Sequence, residues 1–182
     1  CAAPSPASGG GRVDVGFGSS VSAALDLDGQ LVWRQEIEDH QGFDVAIATS
    51  PIVHQDKVIL LCERNGGQST LAAYDGKSGE IRWKQKRPDS RFSHSTPVVA
   101  EIGGRPQMLI SASNALQGVD PANGEILWWV NTKGDVCSPT LANGLIYTDS
   151  GRGGKGVLVE PGGSGDLTAT NIRWTSPQIP EG

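Results

Sequence analysis

Positive charge, long apolar runs and cysteine are all scarce in this chain, and each scarcity closes a class of function. Lys and Arg number 15 against 20 Asp and Glu, for a net charge of −5. A surface of that sign does not seek phosphate backbones, so nucleic acid is not an expected partner. No apolar run approaches the roughly 18 residues of a membrane-spanning helix. No apolar set at i, i+3, i+4, i+7 persists for ten residues either, so long amphipathic helices are not expected. Cysteine occurs three times, at Cys1, Cys62 and Cys137, an odd count with no metal-type spacing and no adjacent pair. Cysteine usage therefore leaves the redox compartment open, and Cys62, which ends an apolar run, reads as a buried thiol. Met108 is the one methionine, and the chain opens on Cys1. Cys1 is either the lipid-anchored first residue of a mature lipoprotein, with residues 2–11 as tether, or the lead-in to a repeat; repeat spacing favours the second.

What the chain has in quantity is glycine, 25 residues, with 11 prolines, and its few aromatics are dominated by five tryptophans. Turns must be frequent. One phrase recurs: Ala73-Tyr74-Asp75-Gly76-Lys77-Ser78-Gly79-Glu80-Ile81-Arg82-Trp83 is matched by Gly118-Val119-Asp120-Pro121-Ala122-Asn123-Gly124-Glu125-Ile126-Leu127-Trp128. Residues 24–33 give it one residue shorter, and a looser copy with an insertion runs from Glu160 to Trp174. Trp33, Trp83, Trp128 and Trp174 are spaced by 50, 45 and 46 residues. A second marker, Ser5-Pro6, Ser50-Pro51, Thr96-Pro97 and Ser138-Pro139, runs in phase, spaced by 45, 46 and 42. Two markers at one period of about 40–50 residues define a repeat architecture.

Within each repeat, Gly-Gly, Asp-Gly or Asn-Gly pairs separate short β-rich runs, the strongest local hairpin signal. The chain is therefore read as all-β, with four consecutive four-stranded antiparallel units at about residues 1–46, 47–93, 94–135 and 136–182. The first strand of each is expected to span the Ser-Pro pair, as in residues 47–53 and 95–102. The second strand, as in Val58-Ile59-Leu60-Leu61, is apolar without alternation, which requires cover on both faces. Stacked propeller blades supply that cover. The tryptophan falls on the outermost strand, where it can lie across the junction to the next blade. Ala24, Ala73 and Gly118 leave space for an indole. Asp26, Asp75 and Asp120 can accept hydrogen bonds from the turn amides, and Gly29, Gly79 and Gly124 make the turn.

The phrase Ala/Gly-x-Asp-x-x-Ser/Thr/Asn-Gly-x-x-x-Trp resembles the tryptophan-docking motif of quinoprotein-type β-propellers. That superfamily joins the pyrroloquinoline-quinone (PQQ) alcohol dehydrogenases to the BamB-like assembly lipoproteins. The resemblance covers essentially the whole chain. It is similar in detail to PQQ-binding-like repeat proteins, through Ser95-Thr96-Pro97-Val98-Val99, Gly104-Arg105-Pro106-Gln107 and the stretch Pro161-Gly162-Gly163-Ser164-Gly165-Asp166-Leu167-Thr168. In that group the last stretch reads Pro-Asp-Gly; here Gly162 replaces the Asp. The resemblance implies a β-propeller of seven or eight blades, of which this chain carries four. True quinone dehydrogenases are implied to carry a vicinal cysteine pair, a calcium-binding acidic set and a catalytic Asp. Adjacent cysteines are missing here, so no cofactor, no metal and no catalytic residue is expected.

Other motifs are weaker. Asp26-Leu27-Asp28-Gly29 opens like a calcium loop but has no Glu at the twelfth position, and reads as a turn. Gly154-Lys155-Gly156 resembles a phosphate loop but lacks the following Ser/Thr and helix. His40, His54 and His94 read as polar loop residues, although His40 and His94 precede first strands and are candidates for a funnel mouth. Trp129 points away from Trp128 on the opposite face of its strand. The function expected is a non-enzymatic, periplasmic or otherwise extracytoplasmic scaffold. Its partner is a protein or the remaining blades of a ring, including self-association into a closed ring. The alternatives are a fragment of a PQQ-dependent quinoprotein dehydrogenase whose cofactor residues lie elsewhere, and a sensor propeller.

Overall fold

The computed structural model describes residues 4–17, 20–37, 49–63, 69–87, 93–112, 114–133, 136–151 and 154–178. Cys1 and His40 lie outside the described residues, and with them the lipid-anchor reading and one funnel-mouth candidate. Every regular element among the described residues is a strand, so the fold is all-β, and these residues hold no helix long and apolar enough to cross a membrane. The chain divides into two compact units, residues 1–92 and 93–182.

The first unit holds two sheets. One is the meander β1 (Ala7–Gly9), β2 (Arg12–Phe17), β3 (Val21–Asp26) and β4 (Leu31–Glu36). The other is β5 (Ile52–His54), β6 (Lys57–Cys62), β7 (Thr70–Asp75) and β8 (Ile81–Lys86). Each strand pairs antiparallel with the next. Val58, Ile59, Leu60, Leu61 and Cys62 of β6 are all buried, as a strand covered on both faces must be.

The second unit repeats the plan with β9 (Val98–Ile102), β10 (Arg105–Ser111), β11 (Ala115–Val119) and β12 (Ile126–Asn131). Its other meander is β13 (Thr140–Ala142), β14 (Leu145–Thr148), β15 (Lys155–Val159) and β17 (Ile172–Gln178). The Asn143-Gly144 turn between β13 and β14 has φ of 51° and 76°, the double left-handed turn that Asn-Gly favours. Between β15 and β17 the insertion forms β16 (Gly165–Asp166), which pairs parallel with β12, Trp128 opposite Gly165 and Trp129 opposite Asp166. The fourth repeat thus lends a fifth strand to the third sheet, and β12 is not an edge strand as the sequence suggested.

Two further features refine the sequence reading. The first strands are shorter than expected and begin directly after each proline, at Ala7, Ile52, Val98 and Thr140. Proline has no N–H to give a ladder, so pairing starts one residue later. A bulge also recurs at one place in all four repeats: the register shifts beside Ala24, Ala73, Gly118 and Leu158, each opposite its tryptophan. The residue left over is the one before the tryptophan: Val32, Arg82, Leu127 or Arg173. Such a bulge re-aims the side chains that follow it.

Candidate functional site

The chain's chemistry-bearing side chains gather at the seam between the two sheets of each unit. In the first unit, Trp33 leaves β4 and lies against the second sheet. Its Nε1 donates to the Gly76 carbonyl at 2.9 Å, and its ring stacks over Tyr74 with centroids 6.4 Å apart. A Cβ built on Gly79 would stand 2.8 Å from the indole, and Gly79 has φ +74°. Only glycine satisfies both demands. Trp33 is 6% exposed. Burying an indole removes up to ~250 Å² from water, an upper bound of ~6 kcal/mol.

The acids of the phrase organise its turns. Asp26 accepts from the amides of Asp28 and Gln30, Asp75 from those of Lys77 and Ser78, and Asp120 from that of Ala122. Asp75 is also bonded by Arg82, the bulged residue of β8. The Ser78 amide, Arg82 and the Lys77 amide hold its carboxyl well below the usual carboxylate range. Arg173 pairs with Glu160 at the equivalent place in the fourth repeat. Gly29, Gly79 and Gly124 each donate their amide back to the motif Asp carbonyl.

The second marker has its own chemistry. The Ser5 amide donates to the Ser50 hydroxyl at 2.9 Å, and the Thr96 amide to the Ser138 hydroxyl at 3.0 Å. Within each unit, one Ser-Pro hydroxyl therefore ties down the backbone of the preceding repeat. The spacing gave the period of this marker but not the bond, since residue type alone does not say which neighbour the hydroxyl serves. Three further pairs of buried polar side chains lie within the units. Arg87 Nε donates to Glu63 at 2.9 Å, and the Ser111 and Thr148 hydroxyls meet at 2.6 Å across the seam of the second unit. Arg12 Nε donates to Asp14 at 3.2 Å, and burial pushes the Asp14 carboxyl up against that pull.

The seam of the second unit is built differently. Trp128 is fully buried over Gly118 of its own sheet, and its Nε1 donates to Gln107 Oε1 of the same sheet at 2.8 Å. The insertion closes the junction instead. Leu167 donates its amide to the Trp129 carbonyl and buries its side chain in the core with Trp128 and Val130. Thr168 accepts the Asn131 amide at 2.9 Å, and the Thr168 hydroxyl and amide hold the Asp166 carboxyl below its ordinary value.

Beside this strap lies a cleft of about 400 Å³. It is lined by Asn131, Thr132 and Lys133 of the third repeat and by Gly154, Lys155, Val157, Ile172 and Thr175 of the fourth. Gly154 and Gly156 give their amides to the Ser150 and Ser176 hydroxyls, and Lys155 and Gly156 already belong to β15, so the Gly-Lys-Gly segment is the start of a strand and neither a turn nor a phosphate cradle. Nearby, Asp149 accepts from Cys137 and Tyr147 side chains. Burial, with that carboxylate beside it, pushes the Cys137 thiol up to about 11. Burial raises the Asp149 carboxyl, but bonds from Cys137, the Gly151 amide and Tyr147 bring it below its ordinary value.

His94 sits half-buried before β9 between the buried Ser93 and Ser95. Trp83 is half-buried on β8, and its buried indole nitrogen has no hydrogen-bond partner among the described residues. Trp174 is 46% exposed and leans on Tyr147, centroids 6.0 Å apart. Among the described residues no three His, Cys, Asp or Glu converge to hold a metal. The motif acids are bonded to turns, so this donor set does not fit a calcium–quinone centre.

A family model described as "Outer membrane protein assembly factor BamB" matches residues 2–135. Among solved structures, the chain is similar to the crystal structure of BamB from Moraxella catarrhalis, with a TM-score of 0.70 and 15% identity over 96% of this chain and 51% of that one. It is also similar to a europium-containing methanol dehydrogenase, with a TM-score of 0.55 and 18% identity over 71% of this chain and 24% of that one. These likenesses show a shared fold, the β-propeller, with four meanders as its blades. The chain spans about half the length of the BamB structure. No curated protein sequence matches the chain.

Proposed function

The chain belongs to the family described as outer membrane protein assembly factor BamB, and from that premise we propose that it is a non-enzymatic, extracytoplasmic scaffold for a protein partner. The observation that carries this reading is the outer strand of the first sheet. Among the described residues β4 ends the strand order of its sheet, and Leu31 and Val32 stand 60% and 43% exposed on it. An open strand edge offers N–H and C=O groups to an added strand, and apolar side chains beside it give a partner grip. Further blades, or a second copy of the chain, are the partners that would complete a ring. The tryptophan–glycine contact of the first unit is the proposed means by which blades dock.

A photo-reactive residue in place of Val32, with the chain exported to the periplasm, tests this reading. A discrete protein adduct that disappears when the same group is moved to Lys77 is expected. Titration with PQQ and Ca²⁺, followed by tryptophan fluorescence, tests the dehydrogenase alternative. No saturable change is expected; saturation would overturn the scaffold reading in favour of a quinoprotein.

A further inference from the structure

The cleft in the second unit occupies the place that the first unit fills. Four residues after its tryptophan, the first repeat has Ile37, which is 6% exposed and packs on Leu60, Cys62, Ala72 and Tyr74. That plug leaves a pocket of about 140 Å³. Four residues after Trp128, the third repeat has Thr132, and the space is about 400 Å³. This volume lies in the range of small-molecule sites.

The polar lining changes along with the plug. The first pocket carries Glu36 and Lys84, one charge of each sign. At the positions of Glu36 and Lys84 the second cleft has Asn131 and Thr175, and at the position of Thr70 it has Lys155. Lys133 adds a second ammonium, and among the described residues no carboxylate lines the cleft. Two acids of the strap and rim are engaged elsewhere, Asp166 by Thr168 and Asn131, Glu160 by Arg173. Neither Lys133 nor Lys155 makes an ion pair with another described residue. Lys133 and Lys155, both exposed, line one concavity, where two like charges favour an anion between them. The wall behind them is apolar, with Val157 buried and Ile172 half-buried.

We propose that this cleft binds a small organic anion with an apolar body, of the class of medium-chain carboxylates. The carboxylate accepts charge-assisted hydrogen bonds from Lys133 and Lys155. The hydrocarbon lies along Val157 and Ile172, where Ile37 fills the sister seam.

Octanoate titrated into the 182-residue chain, read by calorimetry, tests the site. One saturable site per chain is expected. Lys155→Met and Lys133→Met should each weaken it by about tenfold, equivalent to ~1.4 kcal/mol. Thr132→Ile, which restores the plug of the first unit, should abolish binding with the thermal midpoint unchanged or higher. Octanol and inorganic phosphate, each carrying half of the recognised chemistry, should bind at least about tenfold more weakly than octanoate. No saturable octanoate binding, binding indifferent to both lysine variants, or phosphate binding as tight as octanoate would each overturn the proposal. Should Thr132→Ile fail to fold, the two exposed lysine variants decide the matter alone.

Discussion

In the first unit the indole of Trp33 crosses to the neighbouring sheet and donates to Gly76, with Gly79 beneath its ring. In the second unit the indole of Trp128 stays over Gly118 and donates to Gln107 of its own sheet. The cause lies in the receiving repeat. The second repeat offers a short Asp-Gly-Lys-Ser-Gly turn, whereas the fourth repeat gives that place to the insertion around residues 161–171. Both of these indoles are buried, so the two seams share burial of the ring while the acceptor for its N–H differs. Giving the turn over to a strap has a second effect. Leu167 seals one part of the seam, and the adjoining part opens into the lysine-lined cleft.

The largest expected effect of breaking this comparison is at the rings. Trp128→Ala and Trp33→Ala should each lower unfolding free energy by about 3–5 kcal/mol in urea denaturation. Trp83→Ala should fall below both, since Trp83 is only half-buried. Trp174→Ala, at a 46% exposed ring, should cost under about 1 kcal/mol. Next is the strap: Leu167→Ala should cost about 2 kcal/mol and speed amide exchange at residue 167, whose N–H is held by the Trp129 carbonyl. Ser50→Ala and Ser138→Ala should each cost about 1 kcal/mol, the worth of one hydrogen bond between repeats. The smallest effect is acid-dependent. The depressed Asp75 carboxyl contributes stability that is present above its unfolded value of about 4 and lost as pH falls through its folded value. Asp75→Asn should therefore lower the thermal midpoint at neutral pH, and the gap from the parent chain should shrink steadily as pH drops below about 4.

The sequence carried the repeat, the four meanders and the turns because each rests on local chemistry. Asp75 and its successors accept turn amides within four residues of themselves, and Asn143-Gly144 encodes its own backbone shape. The long-range features were hidden for a matching reason. The Ser-Pro marker was visible as a period, yet its hydroxyl bond links residues 45 and 42 positions apart. The recurrent bulge at Val32, Arg82, Leu127 and Arg173 has no residue signature, since four different requirements of register share it. The parallel pairing of Gly165-Asp166 with β12 depends on where an insertion lands. The cleft became legible only when Thr132 could be set beside Ile37, and that pairing needed the register of both seams.

The contact between Trp33 and Gly79 is the most direct point at which to test how blades dock. A double-mutant cycle measures it: Trp33→Ala, Gly79→Ala and the pair, each unfolded in urea. If the indole rests on Gly79, the added methyl must displace it in the parent chain, while in the Trp33→Ala background it bears only the left-handed backbone cost of about 1–2 kcal/mol. The Gly79→Ala penalty should then be larger in the parent by at least about 1 kcal/mol. Equal penalties in the two backgrounds would contradict the account.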